Sequence, residues 1–268
     1  MTNYICSTCG VQFEASEKEP ENCPVCEDER QYVGWGGQKW TTLTKLRKEY
    51  QNKFTEMEEG ITQIITEPSF GIGQRAFLIQ TSFGNILWDC LTLIDDETIG
   101  RINELGGLKA IALSHPHYYS SIVEWSKAFG DIPVYISYDD EKWLMRKNES
   151  VKLWEGDRHQ LNNELTIIKC GGHFEGASVL HWNRGDKDCV LFSGDTIQIV
   201  MDRKNVSFMY SYPNLIPLSA KKIDRIIESI SSFDFDKIYG AFRGRHILRD
   251  AKSIVLSSAE RYKKRITD

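Results

Sequence analysis

Apolar residues in this chain recur in two rhythms. From Ile61 onward they gather into short runs bounded by Gly, Asn, Asp and Ser, the signature of strands. The runs are Ile61–Ile65, Phe70–Gln74, Arg75–Gln80, Asn85–Cys90, Lys109–Leu113, Val134–Ser137, Thr166–Cys170, Ser178–Trp182, Cys189–Phe192 and a last one starting at Lys237. Arg75–Gln80 and Asn85–Cys90 read as a hairpin across Ser82-Phe83-Gly84. Between these runs the spacing changes to three and four. Leu43, Leu46, Tyr50 and Phe54 predict a helix from an N-cap at Thr42 to about Lys53. Ile99 to Leu105 predicts another, closed by Gly106-Gly107. Ile122, Trp125 and Phe129 predict a third behind a Ser121/Glu124 capping box. Ile223, Ile226, Ile227 and Ile230 follow the cap Ser219, and Ala251 to Ile266 closes the chain with a helix that is basic at its end. Strands alternating with helices point to a layered α/β fold.

Composition narrows the function. At 268 residues the chain is long enough for one large domain and a small appendage. Its net charge of -5 argues against a nucleic-acid partner, and no apolar run approaches the ~20 residues of a membrane span. Met1 to Cys6 lacks the basic and apolar regions of a secretory signal, so the expected location is cytoplasmic. Four of the seven cysteines form two Cys-x-x-Cys pairs, which suits a metal site in a reducing compartment better than a disulfide framework.

Those pairs, Cys6/Cys9 and Cys23/Cys26, lie thirteen residues apart before the glycine-rich joint Gly34 to Gly37. Each makes a tight turn that aims two thiolates at one point, and two such turns close a tetrahedral four-sulfur site. So short a stretch buries too little to fold by itself, and metal binding must supply the energy. The stretch resembles the rubredoxin-like ribbon of rubrerythrins and zinc ribbons generally. Zinc is the expected ion, with iron as the alternative that the same four thiolates accept. The expected division is a metal ribbon over 1–34 and a larger domain over 41–268.

Further candidates sit at the ends of apolar runs. His115-Pro116-His117 follows Lys109–Leu113; if the backbone stays extended, the two imidazoles point the same way. His173 is held in Gly171-Gly172-His173-Phe174-Glu175-Gly176, and Asp195 ends the run through Ser193-Gly194. Imidazoles and a carboxylate at successive strand ends are the materials of a metal centre. Two histidines in a loop are also common as plain polar residues, and His159 and His181 read as surface positions.

Taken in order, these segments resemble the metallo-β-lactamase-fold hydrolases over Ile61 to Asp268. His115-Pro116-His117 matches the first half of that family's His-x-His-x-Asp-His motif. Gly172-His173 with Gly176 matches its Gly-His-x-x-Gly segment, and Ser193-Gly194-Asp195-Thr196 its Gly-Asp strand end. The resemblance implies an αββα sandwich with His115, His117, His173 and Asp195 as metal ligands. It implies Asp89 as support beneath a ligand loop and places a last ligand near Ala241, with His246 a few residues late. It departs at Tyr119 and Ser120, where the family has the Asp and His that build a second metal position. A single-metal site is therefore expected. Tyr119, with Asp195, is the expected catalytic assistant, and Tyr118 and Glu175 are expected around the ligands.

The leading expectation is a zinc-dependent hydrolase of a small ester, thioester or phosphodiester. Two alternatives stay open: a non-heme iron dioxygenase with an iron ribbon, if His117 turns away, and a binding protein with a degenerate site. The expected partner is a small-molecule substrate, with no nucleic acid and no membrane. The ribbon would pack on the larger domain, cover the site, or mediate a homodimer.

Overall fold

A computed structural model describes residues 1–185 and 189–267. It divides into two compact units, residues 1–136 with 141–153, and residues 137–140 with 154 onward. No helix among the described residues is long and apolar enough to cross a membrane.

The first unit contains the cysteine ribbon. Its strands Gln12–Ser16, Thr2–Cys6 and Trp40–Thr41 form an antiparallel sheet in that order, and the second cysteine pair starts the short helix Pro24–Glu27, with Cys23 at its N-cap and Cys26 within it. Thr42 then caps a helix as expected, its hydroxyl accepting from the Lys45 N–H at 3.3 Å. That helix is shorter than the apolar spacing predicts. It ends at Glu49, and Gln51–Glu58 is a strand pairing antiparallel with Ile61–Glu67. Leu46 is the buried anchor of the helix, whereas Phe54 belongs to the strand. Asn52 explains part of the switch: its side-chain amide donates to the Leu93 carbonyl at 2.9 Å and to Thr98 Oγ1 at 3.1 Å. An adjacent strand and a buried side-chain anchor override a weak local helical preference.

Gln51–Glu58 lies at the edge of a seven-stranded sheet that continues through Ile61–Glu67, Arg75–Thr81, Gly84–Trp88, Ala110–Ala112, Val134–Ser137 and Val151–Trp154. The predicted hairpin is present, with Gly84 at φ +112 in its turn. Phe70–Gln74 is a loop, not a strand, because Gly71 and Gly73 adopt φ of +60 and +74. Gly84–Trp88, Ala110–Ala112 and Val134–Ser137 run parallel. Parallel neighbours need crossovers, and the helices Asp96–Glu104 and Ile122–Ala128 supply them. Ser121 does not cap the second helix with its side chain. Its hydroxyl donates to the Thr92 carbonyl at 2.6 Å, and Glu124 pairs with Arg146.

The second unit is built on the six-stranded sheet Arg158–Gln160, Leu165–Lys169, Ser178–Trp182, Val190–Gly194, Lys237–Gly240 and His246–Ile247. Ser219 caps the helix Ala220–Ile230. Ile223, Ile226 and Ile230 bury fully against Ile168, Val179, Leu191 and Ile238, while Ile227 is half-buried beside them. Each buried isoleucine contributes roughly 1.5–3 kcal/mol of apolar transfer. The closing helix Ala251–Thr267 adds Ala251, Val255 and Ala259 to the same core.

Candidate metal centres

In the ribbon the four cysteine Sγ atoms lie within 4.8 Å of one another, all buried. Cys6 and Cys26 are 3.5 Å apart, and Cys9 and Cys23 3.6 Å. A tetrahedral ion with bonds of about 2.3 Å to sulfur sets its ligands ~3.8 Å apart, so the cage fits one ion with slight expansion. Gln38 Nε2 donates to Cys6 Sγ at 3.0 Å, as a donor around a thiolate should. The four thiols cannot all ionise together without a cation. Hydrogen bonding, first with Cys23, pulls Cys6 below the usual thiol range and pushes Cys9 and Cys26 above it. The cluster is a zinc-ribbon-like site.

The first unit also presents His115 and His117, both buried. The route differs from the extended one expected. The strand stops at Ala112, and Pro116–Tyr118 forms a single 3₁₀ turn. Pro116 presets the φ of that turn. The turn, not strand alternation, sets the two rings 5.1 Å apart. Ser114 Oγ and His115 Nδ1 are 2.8 Å apart. Asp89 is buried with φ +64, and its carboxylate accepts from the Ser114 N–H at 2.8 Å. Asp89 thus holds the backbone of the residue before His115. Tyr118 is also buried, donating its hydroxyl to the Arg75 carbonyl at 3.2 Å with its ring 5.2 Å from His115. Tyr119 and Ser120 are buried facing the ribbon, where they border one cleft with Val11, Gln12, Leu144 and Met145.

The second unit presents His173 and Asp195, buried and with ligand atoms within 4.8 Å of each other. His173 follows two glycines with φ of +70 and +88. A Cβ on Gly172 would stand 3.0 Å from both Ile226 and Leu218, so glycine lets the loop close onto the helix. His173 Nδ1 lies 2.8 Å from the Tyr210 carbonyl. A carbonyl only accepts, so Nδ1 carries the proton and Nε2 keeps the lone pair that a metal takes. Tyr212 joins these two residues. Its hydroxyl donates to the Asp195 carbonyl at 2.9 Å, and its ring lies 5.7 Å from the His173 ring. Burial, with the Asp195 carboxylate nearby, pushes the Tyr212 hydroxyl well above the usual tyrosine range, which keeps it a donor.

Tyr210 and Tyr212 escaped the sequence reading. One acts through a backbone carbonyl, which leaves no trace in the residue type, and neither lies in a recognisable motif. Glu175, expected near the ligands, is exposed on its loop. His246 lies on the strand His246–Ile247 opposite Tyr239, with the rings 5.9 Å apart. His181 is buried, not on the surface as expected, and its Nε2–H donates to the Asp234 carbonyl at 2.8 Å. His159 stacks on Trp154 at 5.9 Å.

No family model matches the chain. The Bacillus subtilis (strain 168) protein YmaE is 47% identical over 266 residues, spanning 98% of this chain and 96% of YmaE. The chain belongs to the YmaE family. Among solved structures, the protein VMB-1 superposes with a TM-score of 0.60 at 17% identity, over 81% of this chain and 99% of its own. The metallo-β-lactamase FIM-1 from Pseudomonas aeruginosa, in a mono-zinc form, gives 0.56 at 16% identity over 78% and 95%. A B3 metallo-β-lactamase with an active-site glutamic acid gives 0.52 at 15% over 85% and 93%. This member of the YmaE family therefore has the metallo-β-lactamase fold, with a four-cysteine ribbon at its N-terminus.

Proposed function

We propose that His115, His117, His173 and Asp195 hold one zinc ion, and that the protein is a hydrolase of a small ester, thioester or phosphodiester. The observation that carries the reading is the preparation of the donors. His173 has its Nδ1 proton committed to the Tyr210 carbonyl, and His115 has its Nδ1 beside Ser114 Oγ. Ligand histidines are oriented in this way, through the ring nitrogen that the metal does not use. Three imidazoles and one carboxylate favour zinc, which when bound there would supply Lewis-acid polarisation of a scissile carbonyl or phosphoryl group and a water of pKa ~7.

Tyr119 and Ser120 support a single ion, because neither side chain matches the Asp and His of a second position. The residues have separable tasks. Asp89 and Ser114 fix the start of the histidine loop, and Tyr212 fixes the Asp195 backbone. In this reading Asp195 has two tasks, one carboxylate oxygen binding the ion and the other taking a proton from the nucleophilic water. The pairing of His115 with His117 supports the four-donor set over an iron triad that omits His117.

Elemental analysis of the purified full chain tests the metal, and chromogenic ester, thioester and phosphodiester substrates test the reaction. The expected result is two zinc ions per chain, one lost in His115→Ala together with hydrolysis. One zinc per chain in the unaltered protein, with no activity on any of the three substrate classes, would refute the reading.

A further inference from the structure

We infer that the cysteine ribbon is the positioning element of the histidine loop: a metal in the four-cysteine site fixes the ribbon turn Cys9–Gln12, and that turn fixes residues 115–121. What the loop does rests on the function proposed above; the mechanical coupling does not.

The turn is bonded to the loop at two levels. The Gln12 N–H donates directly to the Ser120 carbonyl at 3.0 Å. Thr92 Oγ1 donates to the Gly10 carbonyl at 2.9 Å, and Ser121 Oγ donates to the Thr92 carbonyl at 2.6 Å. Thr92 thus hands the position of Gly10 on to Ser121. Gly10 stands so close that a Cβ there would lie 2.3 Å from Thr92 Oγ1, and its φ is +82. From the other side, Ser120 Oγ donates to the Cys90 carbonyl at 3.1 Å. Arg146 bridges Gln12 Oε1 and Glu124 Oε1, tying the ribbon to the helix behind the loop. Ser120 itself has φ +23, a conformation held by what surrounds it.

The turn depends in turn on the metal. The Gly10 N–H donates to the Cys6 carbonyl at 2.9 Å, so the turn is closed by a ligand residue. The buried cluster of the ribbon is Cys6, Cys9, Val11, Cys23, Val25 and Cys26. Phe13, Trp40, Trp143 and Met145 pack around it only partly buried, and four of the six buried members are cysteines of the metal cage, so the turn loses most of its buried anchors when they lose their ion. Tyr119 and Ser120, which break the motif of the larger family, stand where the ribbon docks. Positions that would otherwise build a second metal site serve here as a seat for the ribbon.

Cobalt(II) titration and hydrogen exchange of the full chain test the coupling. Cobalt in the ribbon gives a thiolate charge-transfer band, and cobalt on histidines and a carboxylate does not, so the two sites are read separately. The Cys9→Ser/Cys26→Ser variant empties the ribbon. Thr92→Val keeps every ligand and deletes one bond of the seam. In the double variant we expect amide exchange in the peptide 115–125 to rise at least tenfold and cobalt affinity at the histidine site to fall at least tenfold. Peptide 223–230, on the buried helix of the second unit, should be unchanged. In Thr92→Val the same changes should be severalfold, with the thiolate band intact. Should the double variant unfold throughout, Thr92→Val alone decides. Exchange in 115–125 and histidine-site affinity within twofold of the unaltered protein would overturn the inference. Cobalt uptake confined to the thiolate band would refute the proposed hydrolase and leave the exchange result to judge the coupling.

Discussion

Replacing Tyr212 with Phe isolates one hydrogen bond on the aspartate side of the centre. The Tyr212 hydroxyl donates to the Asp195 carbonyl at 2.9 Å. Phenylalanine keeps the ring against His173, so only the donor is lost. The carbonyl left behind belongs to a residue only 3% exposed, and water has little access to replace the bond. A buried acceptor that loses its partner costs about 1–3 kcal/mol. For a chain of this size each kcal/mol lowers the melting temperature by about 2–4 °C, so Tyr212→Phe should melt roughly 2–12 °C lower. With Asp195 as a ligand of the proposed zinc site, loss of this bond should also weaken metal binding there by about 10–100-fold. Tyr210→Phe is the matched control. Tyr210 reaches His173 through its main-chain carbonyl, so removing its hydroxyl should leave metal affinity unchanged. Thermal melts with cobalt or zinc titration of both variants decide the matter. Equal affinities for Tyr212→Phe and Tyr210→Phe would refute the reasoning.

Other positions have equally definite expectations. Gly172→Ala combines φ +88 with a Cβ 3.0 Å from Ile226 and Leu218; it should cost about 1–3 kcal/mol in a denaturant melt and lower metal content by displacing His173. Asp89→Ala strips the acceptor from the buried Ser114 N–H and should destabilise by about 1–3 kcal/mol, whereas Asp89→Asn keeps an oxygen and tolerates φ +64, so a melt should find it milder. Burial lowers the pKa of His181 below its ordinary 6.5 despite the Asp234 carbonyl. The unfolded chain takes up that proton first, so this contribution to stability is complete above about pH 6.5 and is lost as pH falls through the lower folded value. His181→Gln should flatten that part of the stability–pH curve; an unchanged slope would remove His181 as its source.

How much of this was legible beforehand depended on whether the signal was local. Two Cys-x-x-Cys turns specify a four-sulfur cage by spacing alone, and the cage is present. The Ile223–Ile230 stripe, the Ser219 and Thr42 caps and the Ser82–Gly84 hairpin also follow from short-range chemistry, and each appears where the pattern puts it. His115, His117, His173 and Asp195 stood out because each ends an apolar run, in the order of a known motif.

Readings failed where a partner distant in sequence had the stronger claim. Tyr50 and Phe54 continue a helical spacing, yet Gln51–Glu58 pairs with Ile61–Glu67 and anchors Asn52 on Leu93 and Thr98. Ser121 and Glu124 spell a capping box, yet their side chains turn to Thr92 and Arg146. Tyr210 orients His173 through a carbonyl that every residue possesses, so no pattern of side chains could have pointed to it. The sequence by itself determined the candidate donors and their order, because donor type and local spacing are written in the residues. Only the tertiary structure decided what holds those side chains, because backbone donors and acceptors such as Gln12 N, Tyr210 O and Asp195 O acquire their partners when the chain folds.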